Sequence, residues 1–470
     1  MGNSITPITV NQNMLMCGNT RWSPKGLCYQ PVDGTDPLSD DNLPLLTSLL
    51  DPATKNGMFN LGINCLRVYQ VEPGKSHDKV MALLASKGIY VLVGAVTSEA
   101  CITEEDQSLR GVVVERVKAV ADAFARYDNV MGFDISNELY TNANKGNYKL
   151  VSITKQLKQQ MQAHMAQKGY RAVPIGCCTR DVPDYTFPAT EGYTCGSAGD
   201  RLDFIGYNVY RWSRRDVDDS LLDAYYQLYN HFKKFPVPVM LTEIGAECDG
   251  GRNWSDIPYI FGQKQVKAAG SNQAATLSDA VSGCFAFRFY ERGQGHGMVQ
   301  PLKSPNPELV TSGQFGGYTD LSAAYKNVKT FPGSPNGIAM VDCNSLKGNP
   351  YAGNTTPSTG GLPAATTVKL TNAITSPASG RNMVFNYALV ANPSNHDWIK
   401  AVDIPAKGAA KQFTFPKGTQ AISMVYQGDS PGQWYEGCQL RGDNLLKLKD
   451  GGTIQGQWMA PDGHGTCPIL

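Results

Sequence analysis

The 470-residue chain has no marked excess of charge of either sign and no long apolar run. Its 42 Lys and Arg residues nearly balance 41 Asp and Glu residues, which leaves a formal net charge of +1. A balanced chain without basic clusters does not favour binding to nucleic acid or to an anionic membrane. No apolar stretch approaches the roughly 20 residues of a membrane-spanning helix. We therefore predict no nucleic-acid partner and no transmembrane segment.

Histidine is also scarce, with six residues, and none of the twelve cysteines belongs to a Cys-x-x-Cys pair. A zinc site needs such ligands at close spacing, so we predict neither a metal nor another cofactor. The even number of cysteines indicates that some form disulfides in an oxidising compartment. Cys28, Cys65 and Cys284 lie inside apolar runs, which favours buried thiols at these three positions.

The first residues, Met1 to Thr6, lack the charged and apolar parts of a signal peptide. Two interpretations are open, a cytosolic protein or a processed chain that carries an added start, and the cysteines favour the second. Possible glycosylation sites at Asn253 and Asn354, each of the form Asn-x-Ser/Thr, are also typical of a secreted protein. We therefore predict a secreted protein.

Eight apolar runs alternate with helical patterns over about the first 330 residues. The predicted strands are residues 22–30, 63–69, 89–93, 130–138, 172–177, 204–210, 237–245 and 283–290. Short apolar runs bounded by turn residues are typical of parallel strands that are covered on both faces. Eight alternations of strand and helix predict a (β/α)8 TIM barrel in the α/β class.

The composition changes near residue 332. Residues 333–364 are rich in Gly, Pro, Ser and Thr, which predicts a linker. Beyond it, short strand-like runs are separated by turn residues, at 383–390, 412–415 and 421–426. This pattern predicts a small all-β accessory domain over residues 365–470, after a barrel domain that spans residues 1–332.

Two of the predicted barrel strands end on a glutamate. The fourth ends in Asn137-Glu138, and the seventh carries Glu243 near its end. All strands of such a barrel open on one face, where active sites are built, so we expect the two carboxyl groups to meet there. Either glutamate alone could be an ordinary solvated carboxylate. As a pair they indicate a glycosidase, and a separation of about 5–5.5 Å would make its mechanism retaining.

Longer segments of the chain resemble one known family. The matching segments, in the family's order, are residues 25–31, 36–40, 61–69, 77–78, 88–92, 193–196, 203–210 and 236–239. With them the chain resembles glycoside hydrolase family 72, the fungal-type β-1,3-glucanosyltransferases that remodel cell-wall glucan. That family lies within the clan of retaining (β/α)8-barrel glycosidases, so the resemblance implies the same fold that the strand pattern predicts.

The resemblance also implies roles for particular residues. Glu138 corresponds to the acid/base and Glu243 to the nucleophile. Four further residues are implied to line the sugar subsites: Gln30, Tyr69, Asn137 and Tyr210. A tyrosine offers an apolar face to a sugar ring and a hydroxyl to its polar edge, although Tyr69 and Tyr210 could instead merely cap the barrel. Tyr210, with Trp212 as a further candidate, is expected to form a platform for an acceptor sugar.

The chain departs from the family at three places. The family's Tyr-Glu-Trp-Cys is replaced by Tyr-Arg-Trp-Ser at residues 210–213, and its strand-eight Tyr-Glu-Tyr by Phe-Arg-Phe at residues 287–289. Val80 stands where the family has a cysteine. The resemblance therefore does not carry over the family's whole disulfide pattern, nor one of its subsite tyrosines.

We predict a retaining β-1,3-glucanosyltransferase that elongates or remodels cell-wall β-1,3-glucan by double displacement. Its donors and acceptors would be β-1,3-glucan or laminari-oligosaccharides, and its place the cell surface or cell wall. Two alternatives are open. The first is a hydrolytic endo-β-1,3-glucanase or related β-glycanase, in which water instead of a sugar resolves the glycosyl-enzyme. The second is a non-catalytic glucan-binding wall protein that has kept the barrel.

Overall fold

A computed structural model provides the structure of the chain, which forms two compact units. The first contains Met1–Glu104 and Arg116–Ala352, and the second contains Glu105–Glu115 and Gly353–Leu470. The structure describes residues 5–470 except 107, 141–146, 249, 294, 302–305, 312–315, 330–332, 347–361, 363, 373–381, 390–397, 406–409, 428–433, 442–444, 460–463, 467–468 and 470.

The first unit contains a small antiparallel sheet followed by a closed parallel barrel. The sheet consists of β1 (Ile8–Asn11), β2 (Met14–Cys17) and β3 (Thr20–Trp22). The barrel strands are β4 (Lys25–Cys28), β5 (Cys65–Val68), β6 (Tyr90–Gly94), β7 (Val130–Asn137), β8 (Ile175–Arg180), β9 (Phe204–Asn208), β10 (Val239–Ile244) and, after a short hairpin of β11 (Val266–Lys267) and β12 (Ala274–Ala275), β13 (Cys284–Ala286). They close in the order β10-β13-β4-β5-β6-β7-β8-β9. The predicted (β/α)8 barrel is thus confirmed.

A helix follows each barrel strand, because parallel neighbours need a crossover connection. The helices are α1 (Leu43–Leu49), α2 (Asp78–Ser86), α3 (Gly111–Phe124), α4 (Lys149–Gln167), α5 (Pro183–Thr194), α6 (Asp219–Phe232), α7 (Ile257–Ile260) and α8 (Tyr318–Asn327). The positions of α5, α7 and α8 are not predicted from the sequence. Pro188 stands in the interior of α5, where proline normally interrupts a helical pattern. Within the described residues, no helix combines the length and the apolar character needed to cross a membrane.

The small N-terminal sheet covers one end of the barrel. Ile8 and Leu15, on its first two strands, are fully buried and belong to the same apolar cluster as Cys65, Phe204 and Phe285. These three lie at or near the beginnings of their barrel strands, so the sheet closes the end opposite to the strand termini. This sheet is absent from the sequence prediction, because strands of three or four residues carry little periodic signal.

Three predicted strands differ from the observed strands by three or more residues at one or both ends. Pro24 divides the predicted first strand into the end of β3 and β4, and Pro174 delays the fifth strand until Ile175. Proline lacks the N–H group that a strand ladder requires. The predicted eighth strand is shorter, since regular pairing stops at Ala286 and the chain from Phe287 onward forms part of a cavity wall.

The cysteine predictions are confirmed where the structure describes them. Cys195 and Cys343 form a disulfide with a Cα–Cα distance of 5.0 Å. Cys28, Cys65 and Cys284 are unbridged thiols that are at most 1% exposed. The disulfide attaches residue 343, inside the predicted linker, to the barrel unit.

Other contacts hold the first part of the predicted linker in the same way. The Asn336 side chain donates a hydrogen bond to the Phe235 carbonyl at 2.8 Å, and the Gly196 N–H donates to the Val341 carbonyl at 2.8 Å. Most of residues 347–364 lie outside the described residues. The predicted division at residues 332 and 364 therefore stays a prediction.

The two predicted glycosylation sites differ in their surroundings. Asn354 lies outside the described residues. Asn253 is half-buried, and its side-chain amide donates to the Arg215 carbonyl at 3.1 Å. Glycosylation at either position stays a prediction.

The second unit is built from two four-stranded sheets. Its strands are β14 (Thr366–Asn372), β15 (Met383–Ala388), β16 (Ile399–Ile404), β17 (Lys411–Phe415), β18 (Ala421–Gln427), β19 (Trp434–Arg441), β20 (Thr453–Met459) and β21 (His464–Thr466). The sheet orders are β17-β14-β20-β21 and β16-β15-β18-β19. Along β14, Val368 and Leu370 are buried and alternate with more exposed residues, as in sheets with one covered face. The predicted all-β character of this region is confirmed.

Candidate active site

The strand termini of the barrel surround a cavity of about 250 Å³. Its lining residues are Cys28, Gln30, Asp33, Tyr69, Asn137, Glu138, Glu243, Phe287, Arg288 and Arg292. Five of the six predicted site residues are therefore in one place, and the sixth, Tyr210, reaches it through its hydroxyl group. Barrel topology accounts for this, because each of these residues lies at or just after the carboxyl end of a strand.

Glu243, on β10, is held by three hydrogen-bond donors. Its Oε1 accepts from Arg67 Nη1 at 2.8 Å and from the Tyr69 hydroxyl at 2.8 Å. Its Oε2 accepts from the Tyr210 hydroxyl at 2.6 Å. Burial raises the pKa of both tyrosines far above neutral pH, so both remain donors. Hydrogen bonds of this kind stabilise a negative carboxylate and fix its orientation.

Arg67 lies at the centre of this arrangement and is 1% exposed. Besides Glu243, its guanidinium donates to Asp134 at 3.1 Å and to Asn137 Oδ1 at 2.7 Å. No role for Arg67 is predicted from the sequence. Its signal is the presence of a charged residue within an apolar strand, since a buried charge needs partners.

Glu138 follows β7 in an uncommon backbone conformation, with φ of 51°. Non-glycine residues rarely adopt this left-handed region, and those that do are concentrated at functional sites. The Asn208 side chain donates to Glu138 Oε1 at 2.9 Å. Burial and the negative charge of Glu243 raise the pKa of Glu138, although the Asn208 hydrogen bond acts in the opposite direction.

Asn208, for which no role is predicted from the sequence, contacts both Glu138 and Thr242, the residue before Glu243. Its Oδ1 accepts from the Thr242 hydroxyl at 2.8 Å, which turns its amide nitrogen toward Glu138. The same nitrogen lies 3.4 Å from Asn137 Oδ1. Arg67 also donates to that oxygen. The side-chain oxygen of Asn137 is thus held by two donors, and its amide nitrogen points away from them.

Gln30 lines the cavity but is engaged by neighbouring backbone. Its Nε2 donates to the carbonyls of Val32 at 3.0 Å and Thr35 at 2.7 Å, and its Oε1 accepts the Tyr69 N–H at 3.2 Å. Both amide hydrogens are thus used within the loop that follows β4. Cys28 also faces the cavity, but burial raises its pKa to about 12, so it stays a neutral thiol at ordinary pH.

Aromatic residues form the apolar part of the wall. The Phe287 ring lies 6.4 Å from that of Tyr69 and 6.2 Å from that of Tyr210, perpendicular to both. Trp212, the further candidate for a sugar platform, is not among the residues that line the cavity. It is 4% exposed, and its Nε1 donates to the Ser255 hydroxyl at 2.8 Å. A sugar ring therefore has no free Trp212 face on which to stack.

Arg211, where the family has a glutamate, forms a two-point ion pair with Asp181 just beyond β8. Arg211 Nε lies 2.5 Å from Asp181 Oδ2, and Nη2 lies 2.7 Å from Oδ1. The Tyr207 hydroxyl donates to the same carboxylate at 3.0 Å. This ion pair fixes the segment after β9 that carries Tyr210. Arg211, which replaces the family's glutamate, thus has a counter-ion in Asp181.

The described residues contain no group of three or more His, Cys, Asp or Glu side chains that could hold a metal ion. Two of the carboxyl groups that line the cavity, those of Glu138 and Glu243, have different surroundings. One, Glu138, has a raised pKa that favours its protonated form. The other, Glu243, is surrounded by donors.

A family profile described as Glucanosyltransferase, glycoside hydrolase family 72, matches residues 1–328. A 1,3-beta-glucanosyltransferase of Arthroderma benhamiae is 28% identical over 297 residues, which are 61% of this chain and 51% of that protein. The gas5 1,3-beta-glucanosyltransferase of Schizosaccharomyces pombe is 28% identical over 290 residues, which are 60% of this chain and 53% of that protein. The chain thus spans about half the length of these relatives.

The barrel also resembles solved structures. Gas2p of Saccharomyces cerevisiae, in complex with laminaritriose and laminaritetraose, matches with a TM-score of 0.59 and 21% identity over 70% of this chain and 71% of that one. Similarity at this identity concerns the fold alone. The family profile, by contrast, covers more than half of the chain, and on that ground this protein belongs to the glucanosyltransferase family, glycoside hydrolase family 72.

Proposed function

We propose that this protein is a retaining β-1,3-glucanosyltransferase. The observation that carries the proposal is the pair of glutamates in one cavity with contrasting surroundings. Glu138 has a raised pKa, which suits a general acid that must hold its proton near neutral pH. Glu243 accepts hydrogen bonds from Arg67, Tyr69 and Tyr210, which suits an oriented carboxylate nucleophile. Membership of the glucanosyltransferase family supports this reaction class.

In the first step, Glu243 attacks the anomeric carbon of a β-linked glucose unit while Glu138 transfers its proton to the departing glycosidic oxygen. The bond between that carbon and oxygen breaks, and a glycosyl-enzyme ester forms on Glu243. Arg67 and Tyr69 remain on Oε1, and Tyr210 on Oε2, so the carboxylate keeps its orientation as its charge is lost. Orientation of this kind lowers the entropic part of the barrier.

In the second step, Glu138, now ionised, removes the proton from a hydroxyl group of an acceptor glucan. The acceptor oxygen attacks the same anomeric carbon, Glu243 departs as a carboxylate, and two inversions give net retention. Water in place of the acceptor gives hydrolysis. Transfer therefore depends on holding the acceptor over the ester more effectively than water, whose concentration is about 55 M, and proximity is able to supply several kcal/mol for this purpose.

The other predicted residues would bind the sugar. The Asn137 amide nitrogen, left available by the bonds to its oxygen, would donate to the 2-hydroxyl, a contact that strengthens in the transition state. Tyr69 lines the cavity, Tyr210 reaches it through its hydroxyl group, and Gln30 lies in the loop beside it, where it accepts the Tyr69 N–H. These are proposed roles, supported by the location of each side chain.

We also propose where the protein acts and how it is divided into domains. The Cys195–Cys343 disulfide supports a secreted protein acting at the cell surface or cell wall, because disulfides persist in oxidising compartments. We further propose a catalytic barrel over residues 1–332, a linker over 333–364 and an accessory all-β domain over 365–470.

Product analysis on a reduced laminari-oligosaccharide series tests the proposal. A transferase gives products longer than the substrate, with new linkages in the β configuration, at early times and high donor concentration. Only shorter products under those conditions would identify a hydrolytic β-1,3-glucanase instead. Absence of turnover, with retained glucan binding, would identify a non-catalytic wall protein.

A further inference from the structure

Arg288 is a charged residue in the cavity wall that the catalytic steps above do not use. It follows β13, lines the cavity and is 9% exposed. Its Nε and Nη2 atoms are buried and have no hydrogen-bond partner among the residues that the structure describes. A buried guanidinium normally has its N–H groups paired, because leaving them unpaired costs free energy.

Nearby carboxylates are occupied elsewhere. Glu291 accepts backbone N–H bonds from Arg292, Gly295 and Gly297 at 2.8, 2.9 and 2.8 Å. Asp33 is paired with the Arg292 guanidinium. Burial and the neighbouring charge of Arg292 lower the pKa of Arg288, as expected for a cation without a close counter-ion.

The unpartnered atoms have a definite geometry. Nε and Nη2 lie on one edge of the planar guanidinium and point two N–H groups in parallel, the arrangement that matches two adjacent oxygen atoms. The flat face of the guanidinium already has a partner, since its central carbon lies 5.3 Å from the centre of the Phe287 ring. The N–H groups of Nε and Nη2 lack acceptors among the described residues. Because Arg288 lines the cavity, a ligand bound there can supply two acceptor oxygens.

We infer that Arg288 is a substrate-binding residue whose Nε and Nη2 donate together to two neighbouring oxygen atoms of one sugar unit. The inference rests on the proposed function in one respect, that the cavity binds a glycan. Two sources provide such an oxygen pair: two adjacent hydroxyls of a neutral glucose unit, or the carboxylate of an acidic sugar. The family's glutamate at this position could accept hydrogen bonds but not donate them, so this chain would select sugars differently.

Binding is measured by titration calorimetry on the full chain carrying Glu138→Gln, so that the sugar is not consumed. The ligands are laminaripentaose and a matched pentaose in which one unit is oxidised at C6 to a carboxylate. Arg288→Gln removes the charge and the donor edge, whereas Arg288→Lys keeps the charge without the fork. Arg214→Gln, an exposed arginine outside the cavity lining, is the matched control.

Arg288→Gln loses two hydrogen bonds from the charged guanidinium to the sugar, so it should bind at least about tenfold more weakly. The Arg214→Gln control should bind as the wild type does. If the contact is to hydroxyls, laminaripentaose binding falls in both Arg288 variants. If it is to a carboxylate, the wild type prefers the acidic pentaose and Arg288→Lys keeps part of that preference. Unchanged affinity for both ligands in folded Arg288→Gln would overturn the inference.

Thermal unfolding without ligand separates binding from a structural role. A structural arginine makes the chain less stable when it is replaced, whereas an unpaired buried charge does not, so Arg288→Gln should unfold at the wild-type temperature or above it. If the variants fail to fold, a crystal structure of the Glu138→Gln chain with bound pentaose decides. Sugar oxygens beyond hydrogen-bond distance of Nε and Nη2 would refute the assignment. Failure of the proposed function is a separate result, namely absence of β-1,3-glucan turnover in the wild type.

Discussion

Replacing Glu138 by glutamine should affect activity and stability differently from replacing Glu243 by glutamine, if the two have the proposed roles. Glu138→Gln keeps the acceptor oxygen for the Asn208 hydrogen bond at 2.9 Å but removes the transferable proton. Loss of a general acid reduces the rate on glucan by about 10²- to 10⁴-fold, which corresponds to about 3–5 kcal/mol of transition-state stabilisation. A donor with an acidic phenol as leaving group needs no protonation, so glycosylation by Glu138→Gln should recover on it. Glu243→Gln should not recover, because the attacking group itself is gone.

The two variants should also differ in stability. The pKa of Glu138 in the folded protein is raised above its ordinary value of 4.5 by burial and by Glu243, so folding disfavours its ionised form. The wild type therefore loses stability relative to Glu138→Gln as the pH rises through that raised pKa, and below about pH 4.5 the advantage of the variant disappears. Glu243→Gln instead removes a charged partner of buried Arg67, which costs about 1–3 kcal/mol because Asp134 still pairs with it.

Initial rates on laminari-oligosaccharides and on a dinitrophenyl β-laminarioside measure the activity part. Urea unfolding of the wild type and both variants, at pH 7 and pH 4, measures the stability part. Equal recovery of the two variants on the activated donor would show that the roles of Glu138 and Glu243 are wrongly assigned. A Glu138→Gln variant less stable than the wild type at pH 7 would refute the explanation of its raised pKa.

Three further predictions follow from single contacts. Asn208→Leu removes the hydrogen bond that lowers the pKa of Glu138, so the basic limb of the pH profile of kcat/KM should move to higher pH; an unchanged limb contradicts this. Arg67→Lys should cost about 3–5 kcal/mol of unfolding free energy, measured with urea, because one ammonium cannot replace a guanidinium that holds two buried carboxylates; wild-type stability would count against it. Arg211→Ala should lower kcat/KM about tenfold, as the ion pair that fixes the segment after β9 is worth about 1.5–3 kcal/mol, while Arg214→Ala, on the exposed surface, should change nothing.

The sequence predicts the barrel and the meeting of the glutamates for one physical reason. Parallel strands that are covered on both faces have short apolar sequences. Closure of eight such strands into a barrel brings all their carboxyl ends to one face. Glu138 and Glu243, 105 positions apart in the sequence, therefore line one cavity. Cys28, Cys65 and Cys284 follow the same rule, since each lies within an apolar run.

Contacts between side chains from different strands could not be predicted in this way. The Arg67 bond to Glu243 and the Asn208 bond to Glu138 depend on the register of neighbouring strands and on side-chain torsions, neither of which leaves a periodic pattern. Trp212 shows the same limit: its residue type suits sugar stacking, but packing buries it. Arg67 alone carried a usable signal, as a charge inside an apolar strand.

The pairing that closes the barrel has a consequence for how the protein is made. Lys25 of β4 pairs with Cys284 of β13, so the ring of strands joins one of its first-synthesised segments to one of its last. Contacts between such distant positions form slowly, because a long loop must close before they contribute. Phe287 and Arg288 follow β13 directly and complete the cavity wall. A nascent chain that ends before Ala286 would already contain both glutamates, yet it could form neither the closed ring of strands nor the complete cavity wall. The site would thus be assembled only after β13 has been synthesised.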